Sequence, residues 1–261
     1  MSGTPSAIPL DLLLALLLAS VRVVSFLVLA PPFANRAVNA RVKAMLAFAI
    51  ALPMAEGLRE QVPAAEPAAL IGAVAQQVLV GGVLGALCAL VFAAVQSAGD
   101  LIDLFGGFQL ASAYDPLMQA QTAIFGKLYA ATTSALLVFT GGHLLVLQGM
   151  LRTFDVLPLD AGLDWATVAS VFTAGIGTLM LSALQIAAPL IAVLFVADIG
   201  LGLLSRVAPA LNVFAMSFPL KILITLTLGG FAYAVLPGVV TDLAGQLRET
   251  LVRLAAAGGG G

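Results

Sequence analysis

Two stretches constrain this chain more than any other feature: residues 67–99 and 166–197 run without one Asp, Glu, Lys, Arg or His side chain. A bilayer's hydrocarbon core, about 30 Å thick, is crossed by ~20 apolar residues in a helix. Both stretches are longer than one crossing needs, so each has to tilt, kink or bury part of its length against protein. Only 9% of the 261 residues are charged and 61% are hydrophobic, whereas a soluble domain carries about 25% charged residues. So few charges cannot cover a water-facing surface. Apolar runs fall at about 8–30, 44–55, 68–99, 123–151, 166–205 and 211–236, with most of the charge between them. The expected fold class is an all-α membrane protein of about six long apolar helices arranged as kinked hairpins, with room for roughly five to seven spans. Residues 1–250 are read as a single helical membrane domain and 251–261 as a flexible Ala/Gly-rich tail. The N-terminus opens with uncharged polar residues and Asp11 rather than a basic region, and its apolar run outlasts a signal-peptide core, so it is expected to stay as the first helix.

Small residues and prolines mark where these helices bend or touch. Pro189 lies inside the second long run and predicts a kink, because it lacks an amide donor and crowds the preceding turn. Gly81 and Gly85 fit G-x-x-x-G and predict a face on which another helix packs closely. The connector after the first run carries Arg36, Arg41 and Lys43, and the positive-inside rule would make it cytoplasmic.

Several function classes are excluded by what is missing. A net charge of −2 and the absence of a Lys/Arg cluster argue against nucleic acid and against a polybasic lipid-binding run. The single cysteine, Cys88, sits in an apolar run and reads as a small buried hydrophobe. One histidine, His143, and one distant cysteine make no zinc site, and no P-loop, nucleophile–base pair or catalytic carboxylate pair is present. The expectation is a protein that is not an enzyme and needs no metal or cofactor. Asp100 and Asp103, one helical turn apart, either bind a cation or protons or mark a helix end and cap a neighbour. Arg22, within the first apolar run, is costly in lipid and must face protein or a water-filled cavity, unless it snorkels.

Two interruptions carry the most information. Gly106, Gly107, Phe108, Gln109, Leu110, Ala111, Ser112, Ala113, Tyr114, Asp115 and Pro116, followed by Leu117 and Met118, stand between very apolar helices. Glycines at the start, Asp115-Pro116 at the end and apolar side chains between them suit a non-helical segment inside protein, lining or blocking a pore. An interfacial loop on the headgroups is the alternative. Arg206, Pro209, Asn212 and Phe214, then Phe218, Pro219 and Lys221, interrupt the last third in the same manner. Broken helices with charges near the break also occur at transporter substrate sites, which leaves a small-molecule or ion-coupled secondary transporter, with Asp100, Asp103, Asp198 and Lys221 lining its site, as the alternative function.

At these clusters the chain resembles the FliR family of flagellar type III secretion export-gate proteins, with their injectisome counterparts, over about residues 8–250. Arg22 with Pro31, Pro32 and Phe33, Gly99 through Asp103, Gly106 through Pro116, Gly141-Gly142-His143, Phe154 with Pro158, and Arg206 through Lys221 carry the likeness. Gln77 departs from it where an acidic residue is frequent, Asn39 where proline is common and Ala210 where glutamine is usual. The resemblance implies a core subunit of the export gate in the bacterial inner membrane at the flagellar basal body. There FliP-like and FliQ-like subunits would complete a helical hetero-oligomeric pore for unfolded exported proteins, with an FlhB-like switch protein beside it. Gly106–Pro116 would be the plug loop closing that pore, and Arg22, Pro32, Phe33, Asp100, Asp103, Arg206, Pro209, Asn212, Phe214, Pro219 and Lys221 would hold the assembly together.

Overall fold

Backbone in an apolar environment must satisfy its own hydrogen bonds, and this chain does so by forming helix almost throughout. The computed structural model describes residues 9–35, 37–63, 66–108, 123–208 and 212–258, without the side chains at 214, 231 and 232. Among the described residues the elements are α1 (Leu10–Leu29), α2 (Ala40–Ala51), a short 3₁₀ turn (Arg59–Gln61), α3 (Pro67–Phe105), α4 (Ile124–Phe139), α5 (Gly142–Val156), α6 (Trp165–Val207) and α7 (Val213–Gly258). No strand occurs among them. This is an all-α membrane protein.

Local chemistry sets the boundaries. α1 stops before Pro31-Pro32, whose peptide bond is cis. Asn39 caps α2, its side chain accepting from the Arg41 N–H at 3.1 Å. Pro67 takes the first position of α3, where its missing donor is harmless. Asp164 caps α6 by accepting from the N–H groups of Ala166 and Thr167 and from the Thr167 hydroxyl. Those bonds hold its carboxyl below the usual range, the Thr167 side chain contributing most. Asn212 caps α7 by accepting from the Ala215 N–H at 3.2 Å.

Four expectations change. The 44–55 run yields the 12-residue α2, too short at about 1.5 Å per residue to cross a bilayer. The 123–151 run is two helices, because Gly141 turns the chain at φ 74° and His143 falls in the first turn of α5. Pro219 does not break the chain but lies within α7, as Pro237 does, since a proline costs few hydrogen bonds of a long helix whose neighbouring turns stay intact. Residues 251–258 continue α7, with Leu251, Leu254 and Ala255 buried, because apolar side chains at helical spacing hold this end against protein. Pro189 is carried inside α6. Among the described residues three helices, α1, α3 and α6, are long and apolar enough to cross a membrane, and up to five segments qualify if each broken pair counts as one.

The helices pack as two compact units. The described residues of Met1–Leu90, Gly141–Gly175 and Ala244–Gly261 form the first. Its core gathers Leu18, Phe26 and Leu27 of α1, Leu84 and Cys88 of α3, Met150 of α5 and Leu247 of α7. Val91–Thr140 and Ile176–Leu243 form the second, around Val95 and Ile102 of α3, Tyr129 and Leu137 of α4, Leu194 of α6 and Val240 of α7. α6 stays bare: only 22% of its most apolar stretch is buried, against 50% in α3. Lipid or another protein has to cover that face.

Candidate functional site

Among the described residues each unit holds one fully buried charge, and both serve helix ends. In the first unit Arg22 projects from α1 with no exposed surface. Its Nε donates to Gln77 Oε1 at 2.6 Å, Nη1 to the Leu157 carbonyl at 3.0 Å and Nη2 to the Pro158 carbonyl at 3.3 Å. The guanidinium lies 4.3 Å from the centre of the Phe154 ring. Gln77 Nε2 then donates to the Leu159 carbonyl at 2.7 Å, and the Leu159 N–H donates to Gln61 Oε1 at 3.3 Å. Three successive carbonyls beyond the C-terminal end of α5 are thereby satisfied by side chains of α1 and α3. A helix C-terminus carries unpaired carbonyls and partial negative charge, so a cation belongs there. Among the described residues no carboxylate pairs with Arg22.

The G-x-x-x-G face brings those two helices together. A Cβ on Gly81 would collide with the Arg22 carbonyl and lie 2.9 Å from Ser25 Cβ, and one on Gly85 would lie 2.8 Å from the Phe26 carbonyl. Only glycine lets α3 approach α1 closely enough for Gln77 to reach Arg22.

In the second unit Asp103, also without exposed surface, faces the start of α4. Ala123, at the capping position there, offers no side-chain acceptor. Asp103 supplies it from α3: Oδ1 accepts from the Phe125 N–H at 3.1 Å and Oδ2 from the Gly126 N–H at 3.0 Å. An anion at a helix N-terminus is favourable for the same reason as a cation at the other end. Gly99 permits the approach, since a Cβ there would sit 2.6 Å from the Phe125 carbonyl, and a Cβ on Gly126 would strike the Asp100 carboxylate.

The end of α3 is closed beside this cap. Gly107 takes φ 83°, the Phe108 N–H returns to the Asp103 carbonyl at 3.1 Å and the Gly107 N–H to the Leu104 carbonyl at 3.4 Å. This is the Schellman arrangement, which requires a left-handed residue at Gly107. Phe108 then meets Phe125 edge-on at 5.4 Å between ring centres. The aromatic contacts continue from Phe125 to Tyr129 and from Tyr129 to Tyr233, which shares a hydrogen bond with Thr132. Gly106 lies against Thr225 of α7 and Gly107 against Phe218. Phe108 and the start of α4 are therefore held at one place.

Of the expected plug residues, Gly106, Gly107 and Phe108 occupy this junction, while Gln109, Leu110, Ala111, Ser112, Ala113, Tyr114, Asp115 and Pro116 lie outside the described residues. Pro209 also lies outside them, and Phe214 is described only as a helical position in α7. Pro32 and Phe33 are half-buried in the turn after α1, Asp100 is half-buried, and Arg206 and Pro219 are exposed. Lys221 pairs with Asp198 at 2.8 Å, joining α7 to α6. Sequence reasoning did not anticipate Gln61, Phe125 and Gly126, and it treated Gln77 only as a departure. An α4 start lacking a local capping side chain, near a buried aspartate, was the available signal for Phe125 and Gly126.

Asp103 is engaged by backbone N–H groups and Asp198 by Lys221. No group of three or more His, Cys, Asp or Glu able to hold a metal occurs among the described residues.

Residues 13–247 match the family described as bacterial export proteins, family 1. The chain is similar to the flagellar biosynthetic protein FliR of Escherichia coli (strain K12), 32% identical over 236 residues that cover 90% of this chain and 88% of that protein. It is similar to the FliR of Bacillus subtilis (strain 168), 30% identical over 251 residues, 95% of this chain and 96% of that one. The secretion system apparatus protein SsaT of Salmonella typhimurium is 32% identical over 160 residues, 60% of this chain and 62% of that protein.

Proposed function

The chain belongs to the bacterial export proteins, family 1, a membrane family of type III export apparatus components, and from that premise we propose that it is a core, non-enzymatic subunit of a flagellar export gate. In this reading it sits in the inner membrane at the flagellar basal body and joins FliP-like and FliQ-like subunits, with an FlhB-like switch protein, around a pore for unfolded proteins. The bare apolar face of α6 supports the partnership, since α6 leaves large apolar side chains such as Met180, Phe195 and Val196 exposed. Flagellar membership is favoured over the injectisome by coverage: the FliR relatives match 90% and 95% of the chain, the injectisome relative 60%.

The plug role of Gly106–Pro116 rests on one observation, the junction at Asp103. A stretch whose two ends are fixed side by side can occupy a pore without carrying the surrounding helices with it. Gating needs two arrangements separated by a few kcal/mol, and hydrogen bonds to one carboxylate are of that order.

Native mass spectrometry of the tagged chain, extracted gently from its own membranes, tests the assembly. One copy in a larger complex with two kinds of small membrane protein is the expected result. A lone chain or a homo-oligomer that moves a small solute would refute it.

A further inference from the structure

No run of basic residues marks a ligand site in the sequence, yet the fold of the first unit brings three of the chain's 11 Lys and Arg residues to one place. Gly149 of α5 lies against α7, where a Cβ would come 3.0 Å from Arg248 Cα. That close approach sets Arg152, about one turn beyond Gly149, beside the last turns of α7. Arg152, Arg248, Glu249, Val252 and Arg253 line a cleft of about 250 Å³. Glu249 is engaged by Arg253 at 3.1 Å. Arg152 and Arg248 make no side-chain hydrogen bond or ion pair among the described residues, and neither Asp155 nor Asp242 pairs with them. In a chain of net charge −2, this cleft carries three guanidinium groups against one carboxylate.

We propose that this cleft binds a phosphate-bearing anion, and that its source is an anionic phospholipid headgroup. A guanidinium fork matches the paired oxygens of a phosphate, and two unpaired forks beside one cleft suit one such group. The last turns of α7 are amphipathic, with Leu247, Leu251 and Leu254 buried and Gln246, Glu249 and Arg253 exposed, so the cleft opens on the polar side of the helix. Basic pockets between the helices of a membrane protein are suited to anionic headgroups. The cleft's volume admits a headgroup, and Val252 supplies an apolar wall for the carbon beyond the phosphate.

The test uses the full chain in its extracted complex, placed in phosphatidylcholine nanodiscs, with fluorescent phosphatidylglycerol as probe. The wild type should bind the probe in preference to labelled phosphatidylcholine. Arg152→Gln with Arg248→Gln should weaken binding by about tenfold or more, the scale of losing charged hydrogen bonds. Glu249→Gln should tighten it, by about twofold, because it removes the competing carboxylate. A site that served only folding would not show opposite signs for these variants. Millimolar inorganic phosphate separates the sources: failure to displace the probe supports the headgroup, and displacement overturns the lipid in favour of the free anion. Equal binding of the two lipids by the wild type overturns the proposal. So does displacement by polyglutamate alone, or unchanged binding in an arginine double variant of wild-type thermal stability. If the double variant does not fold, the Glu249→Gln result decides, and no gain overturns the proposal.

Discussion

The Arg22 and Asp103 centres bury opposite charges by the same rule and to different ends. Arg22 donates to carbonyls beyond the C-terminus of α5, and Asp103 accepts from N–H groups at the N-terminus of α4. Each charge answers a helix terminus rather than an opposite charge, which suits an apolar chain where orphaned backbone groups are as costly as orphaned side chains. They differ in what they join. Arg22, with Gln77, ties α1, α3 and the α5–α6 connector into one unit, so it is structural. Asp103 ties the C-terminal turn of α3 to the first turn of α4, so its loss frees one junction while the helices remain.

The largest effect that separates the centres belongs to Arg22→Leu. It strands Gln77 and the Leu157 and Pro158 carbonyls, and should cost about 3 kcal/mol or more. The thermal midpoint in detergent should fall sharply and the yield of folded chain with it; an unchanged midpoint would break the comparison. Gly99→Val comes next, at about 1–3 kcal/mol, because the new side chain meets the Phe125 backbone. It should also separate Asp103 from α4, visible as loss of protection of the Phe125 and Gly126 amides in hydrogen exchange. Gln77→Glu should be nearly neutral, within about 1 kcal/mol, since the carboxylate gained beside Arg22 offsets the lost donation to Leu159. A large gain would mean that Arg22 lacks a counter-charge more than the connector needs its bond.

The smallest effect lies outside both centres. The Asp164 carboxyl is held low by its capping bonds, so the cap is intact above the ordinary aspartate value of about 3.9 and is lost as pH falls through the lower folded value. Trp165, the only tryptophan, begins the helix that Asp164 caps. Its fluorescence should titrate below the ordinary aspartate range, and Asp164→Asn should abolish that transition.

The helices were legible because they depend on side-chain chemistry along one strip of sequence, and Arg22 was read as facing protein or a water-filled cavity unless it snorkelled. Gly81 and Gly85 were legible for the same reason. The partners of Arg22 were not, since two are backbone carbonyls more than a hundred positions away and carbonyls carry no residue signature. Asp103 was read with capping a neighbour as one of two fates, but its target was hidden because cap signals are local and this cap comes from another helix. The break at Gly141 stood in the glycine pair Gly141-Gly142 and was outweighed by the apolar residues around it.

The most direct test of the account is the resting ion leak of assembled gates carrying Asp103→Asn, which keeps the side chain's shape and removes its charge. Gates of wild-type subunit composition with a leak raised severalfold, toward that of a Gly106–Pro116 deletion, are the predicted result. Correctly assembled Asp103→Asn gates that leak no more than wild type, while the deletion does, would contradict it.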